Sequence, residues 1–132
     1  MEPFIHQSLQ PTEIIGKGWG VITKTGLKAD VVIEASPVLV MNAEARQLLD
    51  QTLLHDYIFE WQPDGQQLCC VALGYLSLYN HSYNSNCEYF MDYESRIMYI
   101  KTVRAVEAGE ELSINYNGDW NDSKRIWFEA MD

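Results

Sequence analysis

The stretch that most constrains the fold of this 132-residue chain is Ala72–Tyr89, ALGYLSLYNHSYNSNCEY. It begins with an apolar run and then brings together four amide or imidazole side chains: Asn80, His81, Asn84 and Asn86. No helical or strand period continues across 79–86, and Asn and Ser favour turns because their side chains bond to nearby backbone. We therefore predict a polar loop held against the core between two apolar segments. Taken alone, the stretch also fits a surface turn with a solvated histidine.

Length and charge limit the class of protein. A chain of 132 residues can bury one core but not two, and its 47% apolar content, spread throughout, argues against disorder. The formal charge of −10 argues against a nucleic-acid-binding surface, which is basic, and is compatible with a cationic partner. No apolar run could span a bilayer, and the N-terminus does not resemble a signal peptide. We expect one domain of an intracellular protein, nuclear or cytoplasmic, without a membrane or nucleic-acid partner.

The three cysteines, Cys69, Cys70 and Cys87, are odd in number and lack the spacing of a metal site. This pattern predicts reduced, mostly buried thiols of an intracellular protein. A metal pair of Cys87 with His81 would lack a third and a fourth ligand, so we expect no metal.

A glycine-rich segment, GKGWGVITKTG, lies near the start of the chain. Its spacing is not G-x-G-x-x-G, and Val21–Thr23 has β character where a phosphate-binding helix would begin. The simplest structure is a hairpin between Glu13–Ile15 and Trp19–Thr23. Because Trp19 stands between two glycines, its ring could also offer a stacking surface to a flat ligand.

The other segments predict a β-rich domain with one substantial helix. Strands are predicted at Asp30–Glu34, Val38–Met41, 57–61, Gln67–Leu73, Glu88–Tyr93, Arg96–Thr102 and between Gly109 and Tyr116. Asn42 can cap a helix over Ala43–Leu54, with an apolar face made by Ala45, Leu48, Leu49 and Leu53.

Three segments, GKGWGV, NHSYNSNC and GEELSINY, occur in this order with long spacings. Together they resemble the SET domain of protein lysine methyltransferases, from about Ile14 to Asp119, and ALGYLSLYNHS looks most like the minimal SET proteins of some viruses and microbes. The resemblance implies a mainly β fold with short helices and small twisted sheets. In that fold the segment after Gly109 passes beneath a loop of the NHS region and forms a pseudoknot. It also implies a single SET domain over 1–132, with 120–132 as a C-terminal tail or lid.

The resemblance also implies S-adenosylmethionine as methyl donor and a lysine side chain as acceptor. It assigns cofactor contacts to Lys17, Gly18, Trp19, Asn80, His81 and Tyr116. Tyr116 is the tyrosine that closes the third motif, and it would lie beside the methyl group in flight as the catalytic residue. Because the chain lacks the cysteine-rich zinc segments of larger relatives, Trp127, with Phe128, is the available cover for the adenine.

Methyl transfer to an amine requires a neutral lysine, whose free pKa is about 10.4. A narrow, dry channel beside a sulfonium favours the neutral amine by desolvation and like-charge repulsion. Tyrosines suit its wall, since each offers an apolar body and one hydroxyl. Our candidates for the substrate channel are Tyr75, Tyr89 and Ile114, although Tyr75 and Tyr89 also fit half-buried strand aromatics. No protein general base is expected.

The chain departs from larger family members at two places near the middle motif. Ser77-Leu78-Tyr79 replaces the usual Arg-Phe-Ile, and Ser85 replaces a proline. We expect neither change to touch Asn80, His81 or Tyr116, so they leave only the subfamily and the substrate open.

We interpret the chain as a lysine methyltransferase of a basic protein such as a histone. The alternative is a non-catalytic SET module that binds basic peptides. Self-association into a homodimer is one way for such a minimal domain to complete its peptide groove.

Overall fold

The structure is a computed structural model of the chain, and it describes residues 1–118, 120, 121 and 123. A six-stranded sheet contains β1 (Phe4–Ile5), β4 (Val32–Met41), β5 (Ile58–Trp61), β6 (Leu68–Ala72), β8 (Cys87–Asp92) and β9 (Ile97–Thr102). A four-stranded sheet contains β2 (Leu9–Ile14), β3 (Gly18–Thr23), β7 (Asn80–His81) and β10 (Glu111–Ile114). Helical structure is limited to α1 (Ala43–Leu49) and the short 3₁₀ helices Leu53–Tyr57, Pro63–Gly65 and Leu76–Leu78 in these described residues. The predicted mainly β fold with short helices is confirmed.

The larger sheet is organised around β4, which changes partner half-way along its length. Its first half pairs with β9 as far as Pro37, and its second half pairs with β6 from Val38 onward. The prediction of two strands, Asp30–Glu34 and Val38–Met41, is therefore wrong. Pro37 does not break the strand because it lies where pairing passes from one neighbour to the other, and a missing N–H costs little there.

The smaller sheet joins distant parts of the chain. The predicted glycine-rich hairpin is present as β2 and β3, in register from Leu9 opposite Thr23 to Ile14 opposite Gly18. Strand β10 lies antiparallel to β3 on one side and parallel to β7 on the other. Part of the expected polar loop is therefore the short strand β7, which pairs with β10. These two strands are distant in sequence, so local sequence patterns do not encode their contact.

The predicted helix over Ala43–Leu54 is shorter than expected. Asn42 caps it as predicted, with its Oδ1 accepting from the Ala45 amide at 2.9 Å, but the α-helix ends at Leu49. Thr52 then accepts from the Leu54 amide and begins a separate 3₁₀ turn. Leu48 is 69% exposed and no residue of α1 is buried, so the apolar face does not pack into the core.

The core joins both sheets through residues with little or no exposed surface, among them Val21, Ile33, Met98, Ile100 and Leu112. All three cysteines are free and buried, as predicted. Burial raises the pKa of the Cys70 and Cys87 thiols to about 12, which keeps them protonated and unreactive. Within the described ranges, no helix is long and apolar enough to cross a membrane, and no group of three or more metal-ligating side chains occurs.

Candidate active site

Tyr116 is fixed at both ends by the segment around β7. Its backbone N–H donates to His81 Nδ1 at 3.0 Å, and its hydroxyl donates to the backbone carbonyl of Tyr79 at 2.9 Å. The buried imidazole ring of His81 lies 5.1 Å from the Tyr116 ring and makes an edge contact with Tyr83 at 4.4 Å. The parallel pairing of β7 with β10 therefore places Asn80, His81 and Tyr116 close together, and their roles in a site stay predictions.

The Tyr116 hydroxyl remains protonated over the physiological range. Burial raises the pKa of this hydroxyl above its ordinary value of 10, and the neighbouring Tyr57, Asp56 and Glu111 groups raise it further. The 3₁₀ helix Leu53–Tyr57 brings Asp56 and Tyr57 towards the site. Neither residue carries a motif, since Asp56 lies just before the predicted strand 57–61 and Tyr57 is its first residue.

The second part of the site is a polar cluster between the first and the middle motif. Asn80 Nδ2 donates to Glu111 Oε2 at 2.7 Å and to the Trp19 carbonyl at 3.2 Å. The other carboxylate oxygen, Glu111 Oε1, pairs with Lys17 Nζ at 3.2 Å. The structure thus brings Lys17, Trp19 and Asn80 together. Glu111, which joins them, was missed although it lies in the GEELSINY motif.

The glycine-rich segment leaves an accessible edge beside this cluster. Trp19 is 55% exposed, and a Cβ at Gly18 would meet no atom within 4 Å. A Cβ at Gly20 would instead lie 2.7 Å from Ile14 and 2.8 Å from the Asn80 amide nitrogen. Glycine at position 20 therefore allows the close approach of Asn80, while position 18 faces open space.

Asn86 closes the loop of the middle motif over β10. Its side chain is 2% exposed, its Oδ1 accepts from the Ser113 amide at 2.9 Å, and its Nδ2 donates to the Glu111 carbonyl at 2.9 Å. The Arg104 guanidinium donates to the Ser85 carbonyl at 2.7 Å and holds the same loop from outside. Strand β10 therefore runs between β3, β7 and this loop, the enclosed arrangement predicted as a pseudoknot.

The predicted channel residues differ in burial and in their contacts. The Tyr89 hydroxyl donates to the Tyr116 carbonyl at 3.1 Å, and its ring lies 5.4 Å from that of Phe59. Tyr75 is half-buried and precedes the 3₁₀ helix Leu76–Leu78. Ile114 has no exposed surface and belongs to the core. Tyr116 and Tyr89 are in direct contact, whereas Ile114 lies behind the surface.

The Ser77-Leu78-Tyr79 segment lies beside the site, because the Tyr79 carbonyl accepts from the Tyr116 hydroxyl. The side-chain identity could change without loss of this bond, since the backbone makes it, and so the pattern gave no signal. The predicted cover by Trp127 and Phe128 lies outside the residues that the structure describes.

Comparison with known proteins agrees with this geometry. The SET domain family profile matches residues 18–117. The chain belongs to the SET-domain family. A histone-lysine N-methyltransferase of Schizosaccharomyces pombe, specific for lysine 37 of histone H3, is 33% identical to this SET protein over 128 residues. That alignment covers 96% of the chain and 81% of the relative.

Two solved SET structures show the same fold. A Plasmodium falciparum protein described as a histone methyltransferase has a TM-score of 0.65 at 24% identity, covering 88% of this chain and 98% of the other. A histone lysine methyltransferase of Neurospora has a TM-score of 0.68 at 17% identity, covering 93% and 57%. Family membership and the S. pombe relative confirm the predicted enzyme class, a protein-lysine N-methyltransferase.

Proposed function

We propose that this SET protein transfers a methyl group from S-adenosylmethionine to a lysine of a histone or histone-like basic tail, and so acts on chromatin. The observation that carries the proposal is the convergence of three distant motifs on Tyr116 and on the Lys17–Glu111–Asn80 cluster. The chain is acidic, with a formal charge of −10, which suits a basic substrate. The S. pombe relative is named for a histone substrate.

The residues beside the cluster fit the proposed cofactor. The exposed ring of Trp19 suits stacking with the adenine, and the open space at Gly18 permits contact with the backbone. Lys17, which uses one of its three N–H donors on Glu111, keeps donors suited to the carboxylate of the donor's amino-acid part. Asn80 would lie beside it, held in place by its bonds to Glu111 and the Trp19 carbonyl. His81 and Tyr116 would complete the site, with Trp127 over the adenine. When bound, the cofactor supplies an electrophilic methyl group.

Tyr116 would orient the acceptor amine. The Tyr116 hydroxyl donates its proton to the Tyr79 carbonyl. The Tyr116 oxygen can therefore accept a hydrogen bond from an N–H of the substrate lysine. The lone pair on the amine nitrogen of a neutral lysine would then point away from Tyr116. Tyr75 and Tyr89 would wall the channel, with Ile114 supporting it from the core, and the dry wall would favour the uncharged amine. Positioning supplies the rate gain, without a general base.

Isotope transfer tests this function. The protein is incubated with S-adenosylmethionine labelled in the methyl group and with recombinant core histones, and labelled lysine is sought by peptide mapping. We expect label on a histone lysine. Donor binding without transfer to any basic protein in a wider panel would instead support the non-catalytic module that binds basic peptides.

We further propose that the protein acts inside the cell, in the nucleus or the cytoplasm, as a homodimer whose second copy completes the peptide groove. The negative net charge also argues against a direct nucleic-acid partner. Light scattering at micromolar concentration should give the mass of a dimer. A monomer mass would overturn the dimer without affecting the proposed activity.

A further inference from the structure

Glu34 is a fully buried carboxylate near the start of β4. It has no exposed surface, and its Oε2 accepts from the Ser36 hydroxyl at 2.6 Å and from the Tyr75 amide at 2.8 Å. Its Oε1 accepts from the Tyr79 hydroxyl at 3.0 Å. Every one of these partners is a donor, which is the environment of an ionised carboxylate.

The carboxylate is held at a cost in stability. Burial raises the pKa of the Glu34 carboxyl above its usual value, while the bonds from Ser36, Tyr75 and Tyr79 partly offset the rise. In the described part of the chain, none of the groups that set this pKa is a cation. A buried carboxylate without a counter-ion is expensive, so a packing role alone would be met better by an apolar residue.

Glu34 fixes both ends of the short turn that leads into the candidate site. The Tyr75 amide lies at the start of the 3₁₀ helix Leu76–Leu78, and the Tyr79 side chain lies at its end. Gly74 packs directly on the carboxylate, with φ at +65°, and a Cβ there would lie 2.6 Å from Glu34 Oε2. The turn therefore has little freedom to shift relative to Glu34.

The same turn carries the carbonyl to which Tyr116 is bonded. The chain of contacts runs from Glu34 to the Tyr79 hydroxyl, through the Tyr79 residue to its carbonyl, and from there to the Tyr116 hydroxyl at 2.9 Å. We propose that Glu34 is a positioning residue for methyl transfer, which sets the Tyr79 carbonyl so that it directs the Tyr116 hydroxyl towards the acceptor amine. This inference rests on the proposed role of Tyr116.

Two variants test the inference. Glu34→Gln keeps the shape but replaces a charge-assisted bond to Tyr79 by a weaker neutral one. Tyr79→Phe removes the hydroxyl and leaves the carbonyl in the chain. With recombinant core histones and saturating S-adenosylmethionine, we expect single-turnover transfer to fall roughly ten- to a hundredfold in both. Donor affinity by calorimetry should stay close to the parent's, and the melting temperature of Glu34→Gln should not fall below the parent's at the pH of the assay. Glu94→Gln, in an exposed turn, should transfer normally.

A double-mutant cycle separates positioning from a structural effect. If Glu34 acts through the Tyr116 hydroxyl, Glu34→Gln should have no further effect in a Tyr116→Phe background. An equal loss in both backgrounds, or parental transfer by both Glu34→Gln and Tyr79→Phe, would overturn the inference. If Glu34→Gln does not fold, Tyr79→Phe carries the same cycle.

The outcome for Tyr116→Phe alone distinguishes the proposed role of Tyr116 from the positioning role of Glu34. If this variant is slow while the Glu34 and Tyr79 variants are fast, only the positioning role fails. If Tyr116→Phe itself transfers like the parent, the proposed role of Tyr116 fails, and the positioning role fails with it.

Discussion

The Tyr116 hydroxyl donates to the backbone carbonyl of Tyr79 across 2.9 Å, and the Tyr116 amide donates to the imidazole two residues further along at His81. The segment that enters β7 thus holds both the backbone and the side chain of the residue that follows β10. Removing the hydroxyl should leave the backbone contact and the ring packing unchanged.

We therefore expect Tyr116→Phe to fold and to bind donor like the parent but to transfer slowly. Loss of one positioned hydrogen bond in a dry site costs about 2–4 kcal/mol in the transition state, or on the order of a hundredfold or more in rate. Single-turnover transfer to core histones measures the loss. Tyr99→Phe, on the stacked pair with Phe90 in β9 and β8, is the matched control and should transfer normally. Equal rates for the two variants would contradict the assignment.

Asn86 should matter mainly for stability. Asn86→Ala leaves the Ser113 amide and the Glu111 carbonyl without their side-chain partner, and we expect a loss of about 2–4 kcal/mol in the free energy of unfolding. Urea denaturation followed by fluorescence measures this difference. Asn84→Ala, at an exposed position in the same loop, is the control and should be nearly neutral. Similar midpoints for both variants would show that Asn86 does not hold the loop.

Glu111 should act on donor binding through its two partners. Glu111→Ala releases Lys17 and Asn80, so donor affinity should fall by about 1–2 kcal/mol, roughly tenfold. Asn80→Ala should weaken donor binding similarly, and the double variant should lose less than the sum, because the three groups form one network. Calorimetry with S-adenosylmethionine measures each value. Full additivity would mean that Glu111 does not act through Asn80. Glu107→Ala, at an exposed position, is the control and should bind donor like the parent.

Glu34 should make stability depend on pH in a defined direction. Its pKa is raised in the folded state, so its contribution to stability is fully present below 4.5 and is lost as pH rises through the folded-state pKa. Glu34→Gln removes this loss. The melting temperature of Glu34→Gln minus that of the parent should therefore increase from pH 4.5 towards neutral pH. A difference that stays constant with pH would mean that the carboxyl does not titrate differently in the folded and unfolded states.

The parts of the fold that were predicted correctly are those with a strong local pattern. The glycine-rich hairpin, the Asn42 cap and the β8–β9 hairpin each depend on residues close in sequence. The continuity of β4 was missed because Pro37 normally interrupts a strand, and only tertiary pairing shows that it lies between two partners. The length of the helix was missed because the apolar stripe continues to Leu53, past Thr52, whose side chain begins a separate 3₁₀ turn.

In the site, the motifs predicted which residues meet but not the groups that hold them. Glu34 lies in a β-branched segment, where a lone carboxylate looks like an exposed polar residue, and its burial depends on donors more than 40 positions away. The Tyr79 carbonyl leaves no trace in side-chain identity. Backbone acceptors and buried charges of this kind become visible only when the strands are assembled.

The enclosure of β10 also has a consequence for how the chain folds. Leu112 pairs with Val21, and Ser113 pairs with Asn80, so the smaller sheet cannot be completed until almost the whole matched domain has been synthesised. Contacts so distant in sequence close slowly, and the strand must enter before the Asn86 loop settles over it. Until then β3 and β7 lack their shared neighbour, so a nascent or truncated chain would expose unpaired strand edges that favour aggregation and chaperone binding.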